Sequence, residues 1–442
     1  MATMTLRTRS RVRFGLAAGA ALTSVALIAG CSTNASNDTG EPSGTLRIVV
    51  SSADASDAAF KAINEAFEEK YPDVTVEFSP VPNDQAVAVI ASRLSANNVD
   101  IVTMNVATIP DYVIGDVKSD EARGADAGVY LDLTDEPFMD NFTDSVLDVV
   151  AYNDQQLSVP LGLSYYTGAY YNKTMFEEMG LTLPTTWSEF VTLCETLEAA
   201  GISPLGIGGK DSWPAGLTMN AAVQGLYPTQ EDKQDLARGL WSQDIKLTDD
   251  GPQEILDRVQ QFYDFAQPNF AGVDYAAIPA GFANGEFAMT VDGTWNQPTI
   301  DAAVGDKFEY GYFPVPTSEN ADDNKFLGGK ADLRLSVASG TKNKVTALAW
   351  LDFLTDPANY EAFAATAGFV PAEPDIPAGE FLDSIAVYTS TFSPAWDTQW
   401  TGNPNAGPNA GFPFNYPAIA PLGTSTPAEA AEIAEKDWAA GF

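Results

Sequence analysis

Histidine is absent from all 442 residues, and with it go Ser-His-Asp and Cys-His catalysis, histidine-bearing zinc sites and every histidine general base. Cationic side chains are scarce as well. Against 60 Asp and Glu stand 23 Lys and Arg, a net charge of −37 at pH 7, which disfavours nucleic acid as a partner and otherwise serves solubility. Cysteine occurs only as Cys31 and Cys194. The apolar run Phe14–Ile28 falls short of the ~20 residues that a bilayer core requires. A phosphate loop is missing too: Gly209-Lys210-Asp211 lacks both the Ser or Thr after the lysine and the upstream glycine.

What is present begins with Arg7, Arg9, Arg11 and Arg13 ahead of that apolar run, which closes on Ala29, Gly30 and Cys31. This layout predicts an export signal over residues 1–30. Ile28-Ala29-Gly30-Cys31 resembles a bacterial lipobox, although leucine is the preferred residue at the place of Ile28. The resemblance implies cleavage before Cys31, a lipid on that cysteine, and a protein held at the outer face of the cytoplasmic membrane by the lipid alone. Residues 31–44, small and polar with Pro42, read as a flexible tether. The mature chain keeps 19 basic against 60 acidic residues, a net of −41. A lipidated Cys31 leaves Cys194 without a disulfide partner, so stability must come from burial. About 400 residues exceed what one core usually serves, and two domains are expected.

Residues 45–50 read as a strand, and Phe60, Ile63, Phe67 and Tyr71 recur at helical spacing until Pro72. Val74, Val76 and Phe78 alternate as a second strand. A helix with Val87, Ile90 and Leu94 follows, then a third strand at Asp100-Ile101-Val102: β-α-β-α-β, the opening of an α/β sheet. Later, Thr186 and Glu189 predict a capping box at the start of a helix that places Phe190, Leu193 and Leu197 on one face, with Cys194 beside it as a small buried side chain. Strands are expected at 287–291 and 308–315, and helices at 344–355, 358–367 and 426–438. The Gly-, Pro- and Asn-rich stretch 393–421, with its five large aromatics, reads as an ordered loop.

Four blocks in fixed order resemble the extracellular solute-binding proteins of family 1, the sugar-binding components of ABC importers. They are Phe67-Glu68-Glu69-Lys70-Tyr71-Pro72-Asp73 with Asn98-Val99-Asp100; Val159-Pro160-Leu161-Gly162 with Tyr170-Tyr171-Asn172-Lys173 and Leu183-Pro184-Thr185-Thr186-Trp187; Phe282-Ala283-Asn284-Gly285-Glu286-Phe287 with Asp292-Gly293-Thr294-Trp295; and Gly328-Gly329-Lys330 with Ala349-Trp350-Leu351 and Gly368-Phe369-Val370-Pro371. The resemblance implies a two-lobe, periplasmic-binding-protein-like α/β fold with a hinge, and a ligand in the cleft between lobes. Lobe 1 is expected over 45–161 and 316–369, and lobe 2 over 162–315 and 370–442. Crossings are expected near 161–165, 313–317 and 369–373.

A neutral sugar presents hydroxyls at its edge and C–H groups on its faces, so its receptor needs polar groups beside aromatic plates. The resemblance puts a stacking tryptophan at Trp295, the alternative being an indole packed in its lobe; Asp292 and Asn296 flank it and suit hydroxyls, or Asp292 caps the turn at Gly293. Tyr165 and Tyr166 follow the first crossing; one is expected at the cleft and the other in the core. Trp213 in its irregular loop is open between cleft and packing. Asn105 and Asp54, each just past a strand, suit hydroxyl recognition. Gly329 would let backbone approach a ligand, and Trp396 and Trp400 are further aromatic candidates. The expected partners are a carbohydrate and the membrane permease, the chain being a monomer without cofactor or metal. Alternatives are a carboxylate-dependent glycoside hydrolase, a receptor for a non-sugar solute, and an adhesion lipoprotein.

Overall fold

The computed structural model describes residues 40–106, 108–113, 117–373, 376–377 and 379–442. The export signal, Cys31 and most of the tether lie outside the described residues. From Gly44 the chain runs through β1 (Gly44–Ser51), a helix Asp54–Lys70, β2 (Val74–Val81), a helix Asn83–Ser95 and β3 (Ile101–Thr103). The helical spacing turns Phe60, Ile63 and Phe67 to one side, and all three are buried. Pro72 cannot continue the helix, so the chain turns back into β2.

Further along come β4 (Gly162–Tyr165), β5 (Gly168–Asn172), β6 (Ser203–Gly206) and β7 (Phe287–Asp292). The last strands are β8 (Tyr310–Pro314), β9 (Gly328–Asp332), β10 (Leu335–Val337) and β11 (Ser393–Pro394). They build three sheets, ordered β10-β3-β1-β2, β6-β7-β5-β8 and β11-β9-β4. The first is parallel except for β10, and it carries one lobe. In the second, β5 runs antiparallel to both neighbours. Each has its own core: Ile48, Phe60, Phe67 and Trp350 in the first lobe, and Ala169, Phe190, Phe262 and Met289 in the second. This is a two-lobe α/β fold.

The third sheet joins the lobes. β4 and β9 pair antiparallel, and Leu163 exchanges both backbone hydrogen bonds with Val370, at 2.8 and 3.0 Å. Residues 313–317 do not form the second crossing. Phe313 pairs with Ala169 inside the second sheet, Thr317 Oγ1 donates to the carbonyls of Ala221 and Ala222, and Leu327 is buried in second-lobe surroundings. The crossing comes later, through β9, so 316–327 stay with the second lobe. The first lobe also reaches across elsewhere: Val117 is buried in the core that residues 207–270 form with the chain's C-terminal segments, and Tyr112 lies 5.4 Å beneath the Arg238 guanidinium.

The helix at Trp187–Ala199 forms with Thr186 accepting the Glu189 N–H, but the Glu189 carboxylate bonds Thr185 at 2.8 Å, one residue before the cap. Cys194 is fully buried on this helix, and burial pushes its thiol pKa far up. We expect no labelling of Cys194 by a thiol reagent in the native protein and full labelling in denaturant. Fast native labelling would show that this helix opens. The stretch 393–421 is ordered by Trp396, Phe414 and Tyr416, all buried. Among the described residues no helix is long and apolar enough to cross a membrane, and no cluster of acidic or cysteine side chains could hold a metal.

Candidate functional site

β7 ends in Asp292, and the turn Gly293-Thr294-Trp295 that follows is fixed by its neighbours. Tyr170 Oη donates to the Gly293 carbonyl at 3.0 Å, and Tyr312 Oη to the Asp292 carbonyl at 2.7 Å. A side chain at Gly293 would meet the Trp295 ring at about 2.4 Å, so only glycine lets the indole fold back over the turn. Beneath it, Asp292 is buried and accepts from the Gly293 N–H at 2.7 Å, Tyr275 Oη at 2.9 Å and Asn296 Nδ2 at 2.6 Å. Tyr275 Oη in turn accepts from Trp295 Nε1 at 3.0 Å. Burial raises the Asp292 pKa to about 6 against the pull of those hydrogen bonds. Asp292 therefore spends its oxygens on these three donors and steadies the indole through Tyr275, and the Asn296 amide nitrogen is turned toward Asp292.

Trp295 packs against the cores of both lobes. Its ring lies 5.4 Å from that of Tyr166 at 41°, and 6.4 Å from that of Trp213 at 55°. Trp213 also meets Tyr275 edge-on at 4.5 Å and is 36% exposed, so this aromatic set opens to solvent. From the joining sheet comes Lys330, with Nζ 5.7 Å from the Tyr166 ring centroid and 5.9 Å from that of Trp295. Its ammonium lies 3.4 Å from Asp332, which accepts from Ser164 Oγ at 2.8 Å. Tyr166 Oη donates to Asp397 at 2.5 Å. Burial lifts the Asp397 pKa despite Lys330 and Tyr166. Burial would lower that of Lys330, but Asp332 and Asp397 outweigh it and the pKa rises, so the lysine stays charged.

The remaining candidates scatter. Tyr165 is core: its ring packs on Phe392 at 6.3 Å and its N–H donates to Thr294 Oγ1 at 3.2 Å. Gly329 serves strand packing, since a side chain there would meet the Ser164 carbonyl at 2.4 Å. Trp396 is fully buried and stacks on Trp400 at 5.5 Å, and Trp400 packs on Trp438 at 4.9 Å. Both tryptophans belong to the C-terminal core instead of the aromatic set. Asn105 is exposed on the first lobe, its N–H donating to Glu121 at 2.9 Å. Asp54 opens the helix Asp54–Lys70. Sequence reasoning missed Tyr275, Asp332 and Asp397, and it valued Lys330 only as part of a glycine block. Asp397 had a faint signal in its place next to Trp396.

One wall of aromatic rings and charged groups, from the second lobe and the joining sheet, thus reaches the first-lobe core through Trp295. Residues 51–361 match the family described as bacterial extracellular solute-binding protein. The chain belongs to that family. Among relatives of this solute-binding protein, the multiple sugar-binding protein of Streptococcus mutans serotype c is 28% identical over 346 residues, 78% of each chain. RafE in complex with raffinose superposes with a TM-score of 0.74 at 24% identity, covering 90% of this chain and 99% of that one. A sugar transporter of Bacillus licheniformis in complex with stachyose gives 0.74 at 14% identity, covering 90% and 100%. The two solved structures share the two-lobe fold of this chain.

Proposed function

We propose that this chain is the receptor of an ABC importer: it captures a neutral sugar or oligosaccharide between its lobes and presents it to a membrane permease, with no chemistry of its own. The observation that carries this reading is the Trp295 set, aromatic faces held at the junction of both lobe cores beside Lys330, Asp332 and Asp397. Rings accept the C–H faces of a sugar, and carboxylates and an ammonium take its hydroxyls. One lysine between two carboxylates leaves the site net negative, which disfavours acidic and phosphorylated sugars. The saccharides named with the relatives, raffinose and stachyose, are uncharged. β4, β9 and the segment at Val370 serve as the hinge, with lobe 1 over 44–161 and 333–369, and closure presents a surface to the permease.

A thermal-shift panel tests this. Neutral saccharides should raise the unfolding midpoint of residues 32–442, while amino acids, peptides and polyamines leave it unchanged. A shift from one of those other classes alone would assign the site to a non-sugar solute. Asp332 and Asp397 both approach Lys330, and two carboxyl groups are also what a glycoside hydrolase uses. Reducing-end release from an oligosaccharide during a long incubation would favour that second reading.

We propose further that Cys31 carries the anchor. In cells, the wild type should fractionate with membranes, and Cys31→Ser should appear in the soluble fraction. Identical fractionation of the two would show that Cys31 carries no anchor.

A further inference from the structure

The helix Trp213–Leu226 starts in the aromatic set and ends at the joining sheet, where Gln224 Nε2 donates to Ser393 Oγ at 3.1 Å. Trp213, Gly216, Asn220 and Gln224 fall at helical spacing on one side. The helix packs against the turn Tyr416–Ala418 and the segment Trp396–Gln399, which carries Asp397. The contact with Tyr416 is close, because a side chain at Gly216 would meet its ring at 2.7 Å. Asn415 is held between Tyr416 and Phe414, whose ring packs on Trp396 at 5.4 Å.

Two polar groups in this region have no partner. Asn220 is 7% exposed and its Oδ1 is buried without a hydrogen bond; Asn415 is 6% exposed and its Nδ2 is in the same condition. Buried amide atoms are nearly always satisfied, so an unmatched acceptor and an unmatched donor on adjoining segments call for a missing partner. A sugar hydroxyl both donates and accepts. Asn220 lies seven residues beyond Trp213, about 10 Å along the helix axis, farther than one pyranose ring stacked on Trp213 and Trp295 would reach.

We propose that Asn220 and Asn415 form a second subsite of the solute cleft, taking the hydroxyls of a sugar unit next to the one on the aromatic set, so that the solute has at least two units. This rests on the saccharide reading above. It makes the two amides specificity residues, with their cost in the empty protein recovered on binding.

Calorimetric titration of residues 32–442 with raffinose, stachyose, maltotriose, galactose and glucose tests it, together with unfolding midpoints measured without sugar. At least one oligosaccharide should bind ten times or more tightly than either monosaccharide. Asn220→Leu and Asn415→Leu should each lower that affinity at least tenfold while the sugar-free midpoint holds or rises, because an unmatched polar group has been replaced by an apolar one of similar shape. Unchanged affinity in both variants, a midpoint that falls in step with the affinity, or monosaccharide binding as tight as oligosaccharide binding overturns the second subsite alone. Wild-type silence toward every saccharide overturns the saccharide reading and this proposal with it.

Discussion

Trp295→Ala should lower saccharide affinity by about 2 kcal/mol or more, roughly thirtyfold in Kd, and abolish the ligand-induced rise in unfolding midpoint. The size follows from position. Trp295 packs on both lobe cores, so its indole is the flat face that a solute and the closing first lobe would share. Its ring is also held rigidly, by the Nε1 bond to Tyr275 and by Gly293 beneath it, so a ligand stacking there loses little extra entropy. The same contacts make the substitution somewhat destabilising. Trp295→Phe separates the two effects: it keeps an aromatic face, loses the bond to Tyr275, and should retain most of the affinity. If Trp295→Ala binds as tightly as wild type, the residue is only a packing wedge between lobes.

The second large effect is on stability. Asp292→Ala removes a buried acceptor from three donors at once, the Gly293 N–H, the Tyr275 hydroxyl and the Asn296 amide. Leaving these unmatched should cost about 3 kcal/mol in denaturant unfolding, at the upper end for a single substitution, and it should weaken binding indirectly by freeing Trp295. Asp292 also gives the protein a pH signature. Its folded pKa of about 6 lies above the ~3.9 of an unfolded aspartate, because burial disfavours the charge. The folded state therefore binds the extra proton between those values. Its stabilisation is complete below the unfolded value and is lost as pH rises through 6. The midpoint of the wild type should rise on acidification from pH 7 to 5, and Asp292→Asn should show a smaller rise. A parallel rise in both would place the pH dependence in the general charge repulsion of an acidic chain.

Much of the fold was legible because the opening elements obey strong periodicities. Phe60, Ile63 and Phe67 could only be a helix face, and the alternation at Val74, Val76 and Phe78 only a half-buried strand. The second crossing was misplaced for a physical reason. An apolar run such as Phe313 to Val315 reads alike in an interior strand and in a linker, and only its pairing with β5 decides. The short β9, broken by two glycines, has no run to notice.

At the site, aromatic residue type was readable and burial was not. Trp295 and Trp396 both sit in irregular segments, yet one ring spans the lobe junction while the other is sealed under Trp400 and Phe414. Polar neighbours misled for a related cause. Asp292 and Asn296 flank Trp295 in the sequence, but their hydrogen bonds turn toward each other. Tyr275, Asp332 and Asp397 come from separate segments and carry no local pattern, so only the fold assembles them with Trp295.

If the Trp295 set is a receptor site, it takes up a neutral saccharide and releases it unchanged. Calorimetric titration of residues 32–442 with an uncharged oligosaccharide, followed by analysis of the recovered sugar, tests it most directly. The expected result is one site with a Kd near micromolar, about −8 kcal/mol, a negative heat-capacity change from buried apolar surface, and intact sugar at the end. Absence of heat with every neutral saccharide, together with tight binding of a charged or peptidic solute, would contradict it.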